Sequence, residues 1–117
     1  MAMRDYAFDY RAPVSPGRAV FNVANTGTVT HNLLVVPIPD DFPPIDEQLH
    51  GDVRRPIYPV AQLYARKPGE TGTFAVDLRP NQRYAFICVI AAPDGQPHFL
   101  KGMNSEFRVA DAPPPPS

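Results

Sequence analysis

The sequence predicts an all-β fold, an antiparallel β-sandwich of about seven to eight strands, and three observations predict it. Short segments alternate apolar and polar positions with the period of two that marks half-buried strands. Turn chemistry separates them, at Pro16-Gly17, Asn25-Thr26-Gly27, Lys67-Pro68-Gly69-Glu70 and Arg79-Pro80-Asn81. No long helical pattern is present, and many of the 16 prolines would interrupt one.

In chain order, the first strand is expected over residues 5–10, with Tyr6, Phe8 and Tyr10 on one face. After Pro16-Gly17 comes a strand over 19–24, where Val20 alternates with Asn22. Asn25-Thr26-Gly27 then turns the chain, because Asn and Gly accept the positive φ of tight turns. Residues 31–36, dense in Leu and Val, form the next strand. Residues 37–59 are Pro-rich and lack a clean period, so they read as a loop with a short helical turn within 45–49. A connection this long marks a crossover or a functional excursion. Residues 71–78 alternate Phe74, Val76 and Leu78 with Thr73, Ala75 and Asp77. The strongest strand is 83–90, with Tyr84, Phe86 and Cys88 on one side, and 106–110 closes the domain. The domain is expected to span 4–110, and 111–117, with Pro113 to Pro116, is a tail or linker extended as polyproline II.

Composition narrows the function. At 117 residues, with 44% hydrophobic and 20% charged, the chain can build one ordinary core. The net charge is −1 and no Lys/Arg run builds an electrostatic footprint, which excludes nucleic acid as a partner. No apolar run is long enough to cross a bilayer. Met1-Ala2-Met3 leads straight into a strand-like segment without a leader pattern. A single cysteine excludes an internal disulfide. Neither a Ser/His/Asp order, a paired-carboxylate motif, a phosphate loop nor a CxxC arrangement points to an enzyme.

Soft-metal donors are few: His31, His50, His98, Cys88 and Met103. Taken alone, Cys88 reads as a small buried apolar residue and Met103 as core filler. Yet Cys88, His98 and Met103 fall on one segment, and thiolate, imidazole and thioether are donors of a blue-copper centre, which takes two His, one Cys and a distant axial Met. His31, at the start of a strand just after a turn, is placed to supply the second imidazole. His50, beside Gly51 and Asp52 in the Pro-rich excursion, is assigned no role. Asp94-Gly95 permits a turn between Cys88 and His98, while Pro93 and Pro97 stiffen the loop before metal arrives.

Several motifs occur together in order: Val23-Ala24-Asn25-Thr26-Gly27 before His31-Asn32-Leu33; Lys67-Pro68-Gly69-Glu70-Thr71; Tyr84-Ala85-Phe86-Ile87-Cys88; Pro97-His98-Phe99-Leu100-Lys101-Gly102-Met103; and Phe107-Arg108-Val109. Across nearly the whole chain the sequence resembles the cupredoxins, the plastocyanin, azurin and rusticyanin superfamily. The resemblance implies a Greek-key β-sandwich holding one type 1 copper ion through His31, Cys88, His98 and Met103. It implies that Asn32 ties the His31 segment to the Cys88 loop, and that Tyr84 is the tyrosine corner of such sandwiches. Two departures stand out. Nine residues separate Cys88 from His98, against two to four in the compact members. Gln82 and Arg83 stand before Tyr84 where the family usually has Gly, leaving Asn81 to make the bend.

The implied function is single-electron transport rather than enzyme catalysis, by a periplasmic or extracellular monomer whose membrane anchor, where one exists, lies in a segment absent from this chain. A redox partner would dock near His98, on an apolar rim that includes Ala92, Pro93, Pro97 and Phe99 around an imidazole edge near the surface. Two other readings stay open: a copper storage, delivery or sensing module on the same ligands, and a metal-free cupredoxin-like interaction domain.

Overall fold

Alternation along each strand decides which of its faces is buried, and the computed structural model, which describes residues 1–11, 14–51 and 55–111, sorts them into two layers. Among the described residues the strands are β1 (Ala2–Arg4), β2 (Ala7–Asp9), β3 (Gly17–Asn25), β4 (His31–Ile38), β5 (Ala61–Arg66), β6 (Thr71–Leu78), β7 (Arg83–Ile87) and β8 (Asn104–Arg108). They form two four-stranded sheets, ordered β2-β1-β3-β6 and β5-β4-β7-β8. The chain changes sheet between β3 and β4, between β5 and β6, and between β6 and β7, so the all-β sandwich is closed by crossovers rather than by a run of hairpins. A short helix α1 (Ile45–His50) falls where a helical turn was expected, and a 3-10 turn (His98–Lys101) precedes β8. The polyproline reading of 113–116 lies outside the described residues.

β6 follows its pattern: Phe74, Val76 and Leu78 are buried, while Thr73, Ala75 and Asp77 are exposed. Three expectations need correction. Residues 5–10 are not one strand, because the chain reverses at Asp5-Tyr6 into the β1–β2 hairpin. The reversal sets Met3 opposite Phe8, and both enter the core. On β3, Val20 points outward and is 61% exposed; the inward positions are Ala19, Phe21 and Val23. The chain does bend after Asn25, but neither Asn25 nor Gly27 takes a positive φ there. Instead the buried Asn25 side chain accepts from the Gly27 N–H and donates to the Val29 and Arg66 carbonyls. β5 was missed because only Leu63 on this edge strand is buried, which leaves no alternation to read.

In the sheet β5-β4-β7-β8 the two central strands, β4 and β7, are buried on both faces, which explains their near-continuous apolar character. Tyr84 and Phe86 face the core between the sheets, whereas Ala85 and Ile87 face a second cluster with Val36, Ile38 and the α1 residues Ile45 and Leu49. The Pro-rich excursion therefore roofs this sheet rather than hanging free. Arg83 anchors the roof: its guanidinium donates to the carbonyls of Pro39, Asp40, Phe42 and Pro43 and grips the Glu106 carboxylate through Nε and an NH2 group. Asn81 makes the preceding bend at φ 59, and the Tyr84 hydroxyl accepts from the Arg79 N–H at 2.9 Å, as a tyrosine corner does.

Candidate metal centre

Each candidate ligand stands where a regular element ends. His31 opens β4, Cys88 follows the last residue of β7, His98 opens the 3-10 turn, and Met103 lies between that turn and β8. His31, Cys88 and Met103 are wholly buried, and His98 is 2% exposed. One donor atom each from His31, Cys88 and His98 lies within 4.8 Å of the others. His31 Nδ1 and His98 Nδ1 are 3.1 Å apart, and Cys88 Sγ is 3.5 Å from His98 Nδ1. Met103 belongs to the same buried cluster as Cys88; its carbonyl accepts the Cys88 N–H and its N–H donates to the His98 carbonyl, both at 3.1 Å.

The nine-residue loop between Cys88 and His98 is itself a tight hairpin. Ala91 pairs with Pro97, the Ala92 N–H donates to the Gln96 carbonyl at 2.8 Å, and Gly95 turns the tip at φ 82. The Asp94 side chain accepts from the Gln96 N–H and from Lys101, tying the tip to the 3-10 turn. The His98 N–H donates to the Ile90 carbonyl, and Gly102 at φ 114 ends the turn so that Met103 follows at once. Asn32 bridges the two ligand segments: its side-chain carbonyl accepts the Val89 N–H at 3.0 Å and its own N–H points at Cys88 Sγ at 3.5 Å.

Around His98 the surface forms a depression bordered by Val29, Thr30, Ile90, Ala91, Ala92 and Pro93. Two expectations about this rim change. Phe99 turns away from it, buried in the cluster under α1, because the 3-10 turn rotates successive side chains to different sides. The imidazole of His98 is also more deeply sunk than an edge near the surface. His50 is exposed, bonds within α1 and is not one of the clustered donors.

Three residues that sequence reasoning did not place at the site belong to it. The Tyr6 ring packs 4.9 Å from that of His98 and 6.2 Å from that of His31. Asp5 Oδ1 is 2.6 Å from His31 Nε2, and Thr28 donates to the same carboxylate through its N–H and its hydroxyl. The Thr28 hydroxyl is the largest cause holding the Asp5 carboxyl at about 2, with burial opposing and the Thr28 N–H and His31 adding to it. No local pattern announces these contacts, since they join residues at least 23 positions apart.

Burial pushes the Cys88 thiol up, against the N–H groups of Asn32 and Ile90. Burial likewise pushes the His98 imidazole down, aided by His31 and Lys101 and opposed by Asp5. Two imidazoles and a thiol suit a soft cation, whose binding would have to displace the proton from sulfur. Separations of 3.1 Å and 3.5 Å are short enough for His31, His98 and Cys88 to hold one ion between them. Two imidazoles and one thiolate so arranged suit a type 1 copper site.

The sandwich carrying this group is the cupredoxin fold. A solved structure, a dithionite-reduced auracyanin from the photosynthetic bacterium Roseiflexus castenholzii, matches 90% of this chain and 84% of its own with a TM-score of 0.55 and 21% sequence identity. No family model matches the sequence, and no curated protein matches it.

Proposed function

We propose that this protein is a mononuclear blue copper protein that carries single electrons, with His31, Cys88, His98 and Met103 as its ligands. The observation that carries the reading is the convergence of His31, Cys88 and His98 in a pocket sealed from solvent. Copper, when bound, would supply a one-electron couple whose potential a weak thioether donor tunes. Cys88 would bind as the thiolate, His31 and His98 would present Nδ1, and Met103 would offer its thioether. The backbone hydrogen bonds linking Cys88, Met103, His98 and Ile90 fix these segments before metal arrives.

Electrons would cross at His98, which lies beneath the depression bordered by Ala92 and Pro93. A small surface of apolar side chains suits brief docking of a redox partner, since such encounter interfaces are small. The resemblance to cupredoxins supports a site of action outside the cytoplasm; among the described residues no helix is long and apolar enough to cross a membrane. That the structural neighbour was solved in a dithionite-reduced form supports a redox role.

Adding one equivalent of Cu(II) to the metal-free protein should give an intense blue or green colour that a one-electron reductant bleaches reversibly without releasing metal. Cys88→Ser should bind without that colour. A stoichiometrically loaded but colourless wild type would overturn the electron-transfer reading, and transfer of Cu(I) to an acceptor on each cycle would favour a delivery module.

A further inference from the structure

We infer that Asp5 is a positioning residue for the metal centre: it fixes the tautomer of His31 and places a negative charge against that imidazole, which favours the oxidised over the reduced ion. The inference rests on the copper reading for its redox part alone. A carboxylate can only accept, so the 2.6 Å contact requires His31 Nε2 to carry the proton. Nδ1, the atom that faces His98 Nδ1 at 3.1 Å, is then left with a lone pair for a metal.

The contact is built rather than incidental. Asp5 occupies the reversal between β1 and β2, and Thr28 holds its carboxylate with both the N–H and the hydroxyl. Gly27, whose backbone φ does not require glycine, is there for room. A methyl group on it would stand 2.8 Å from His31 Nε2 and closer still to Asp5 Oδ1. The His31 ring is wholly buried, and the carboxylate is the partner that meets its Nε2. An anion accepting from a ligand imidazole raises its basicity, and oxidation adds one positive charge to the site, so the carboxylate stabilises Cu(II) more than Cu(I).

Two measurements separate this inference from the copper reading. In the metal-free protein, imidazole 15N shifts should report His31 as the Nε2–H tautomer, with the population redistributed in Asp5→Ala; an Nδ1–H tautomer in the wild type would overturn the positioning role whatever the protein binds. In the copper-loaded protein, Asp5→Asn keeps an acceptor and removes the charge. At a fixed solution potential it should raise the Cu(I)/Cu(II) ratio about tenfold, equivalent to about 59 mV for one electron. Gly27→Ala, which displaces the carboxylate while leaving Asp5 in the chain, should shift the ratio in the same direction. An unchanged or lowered ratio in both variants would overturn the electrostatic role, and a wild type that binds no copper would overturn that role and the copper reading together, leaving the tautomer result standing.

Discussion

Arg83 concentrates more structural work than any other charged side chain described. Its guanidinium is buried, reaches four carbonyls of the Pro-rich excursion and forms a fork with Glu106, whose Oε1 also caps α1 by accepting the Ile45 N–H. Removing the buried guanidinium takes the hydrogen-bond partner from four backbone carbonyls and from Glu106, so Arg83→Ala should lower stability by about 1–3 kcal/mol in urea unfolding. Burial pushes the Glu106 carboxyl up, yet the Arg83 fork, the Ile45 N–H and the charges of Arg83 and Arg108 outweigh it and leave it below its ordinary value of 4.5. A carboxyl lowered in the folded state contributes stability that is full above 4.5 and is lost as pH falls through the folded value. Stability of the metal-free protein should therefore decline below about pH 4.5, and Glu106→Gln should flatten that decline. Cys88, His98 and Met103 were legible because they share one stretch of sequence. The roles of Arg83 and Asp5 were not, because each is defined by partners that only the folded chain brings near; Arg83 had registered merely as a departure from a family glycine.

At the scale of elements, strands with one wet face declared themselves and the rest did not. β6 was legible in full, since every second residue is buried. β5 buries one residue, and β1 and β2 are too short to show a period. The loop from Cys88 to His98 looked enlarged by sequence alone, but the additional residues close a hairpin on themselves and leave Cys88 and His98 at its base. Its tip depends on Gly95 at φ 82, where an added Cβ meets nothing within 4 Å, so the cost of substitution there is conformational only. Gly95→Val should destabilise by about 1–2 kcal/mol and broaden the Cu(II) absorption as the His98 segment loosens. Lys101→Ala, which removes a pair with the exposed Asp94, should cost no more than about 1 kcal/mol and leave the spectrum unchanged.

For the whole molecule, the order of assembly follows from how the sheets are threaded. β3 pairs with β6 and β4 with β7, and the donors are drawn from residues 31, 88 and 98, so no local segment holds a complete site. Pairings this distant must close large loops before contacts reward them, which places refolding in the millisecond-to-second range typical of β-sandwiches. Metal capture is then the last event rather than a nucleating one. Stopped-flow refolding of the wild type should proceed at the same rate with and without Cu(II), while the bound ion slows unfolding. An apo chain would thus reach its native form before meeting copper, and loading would be a separate step that an assembling cell could time independently of synthesis.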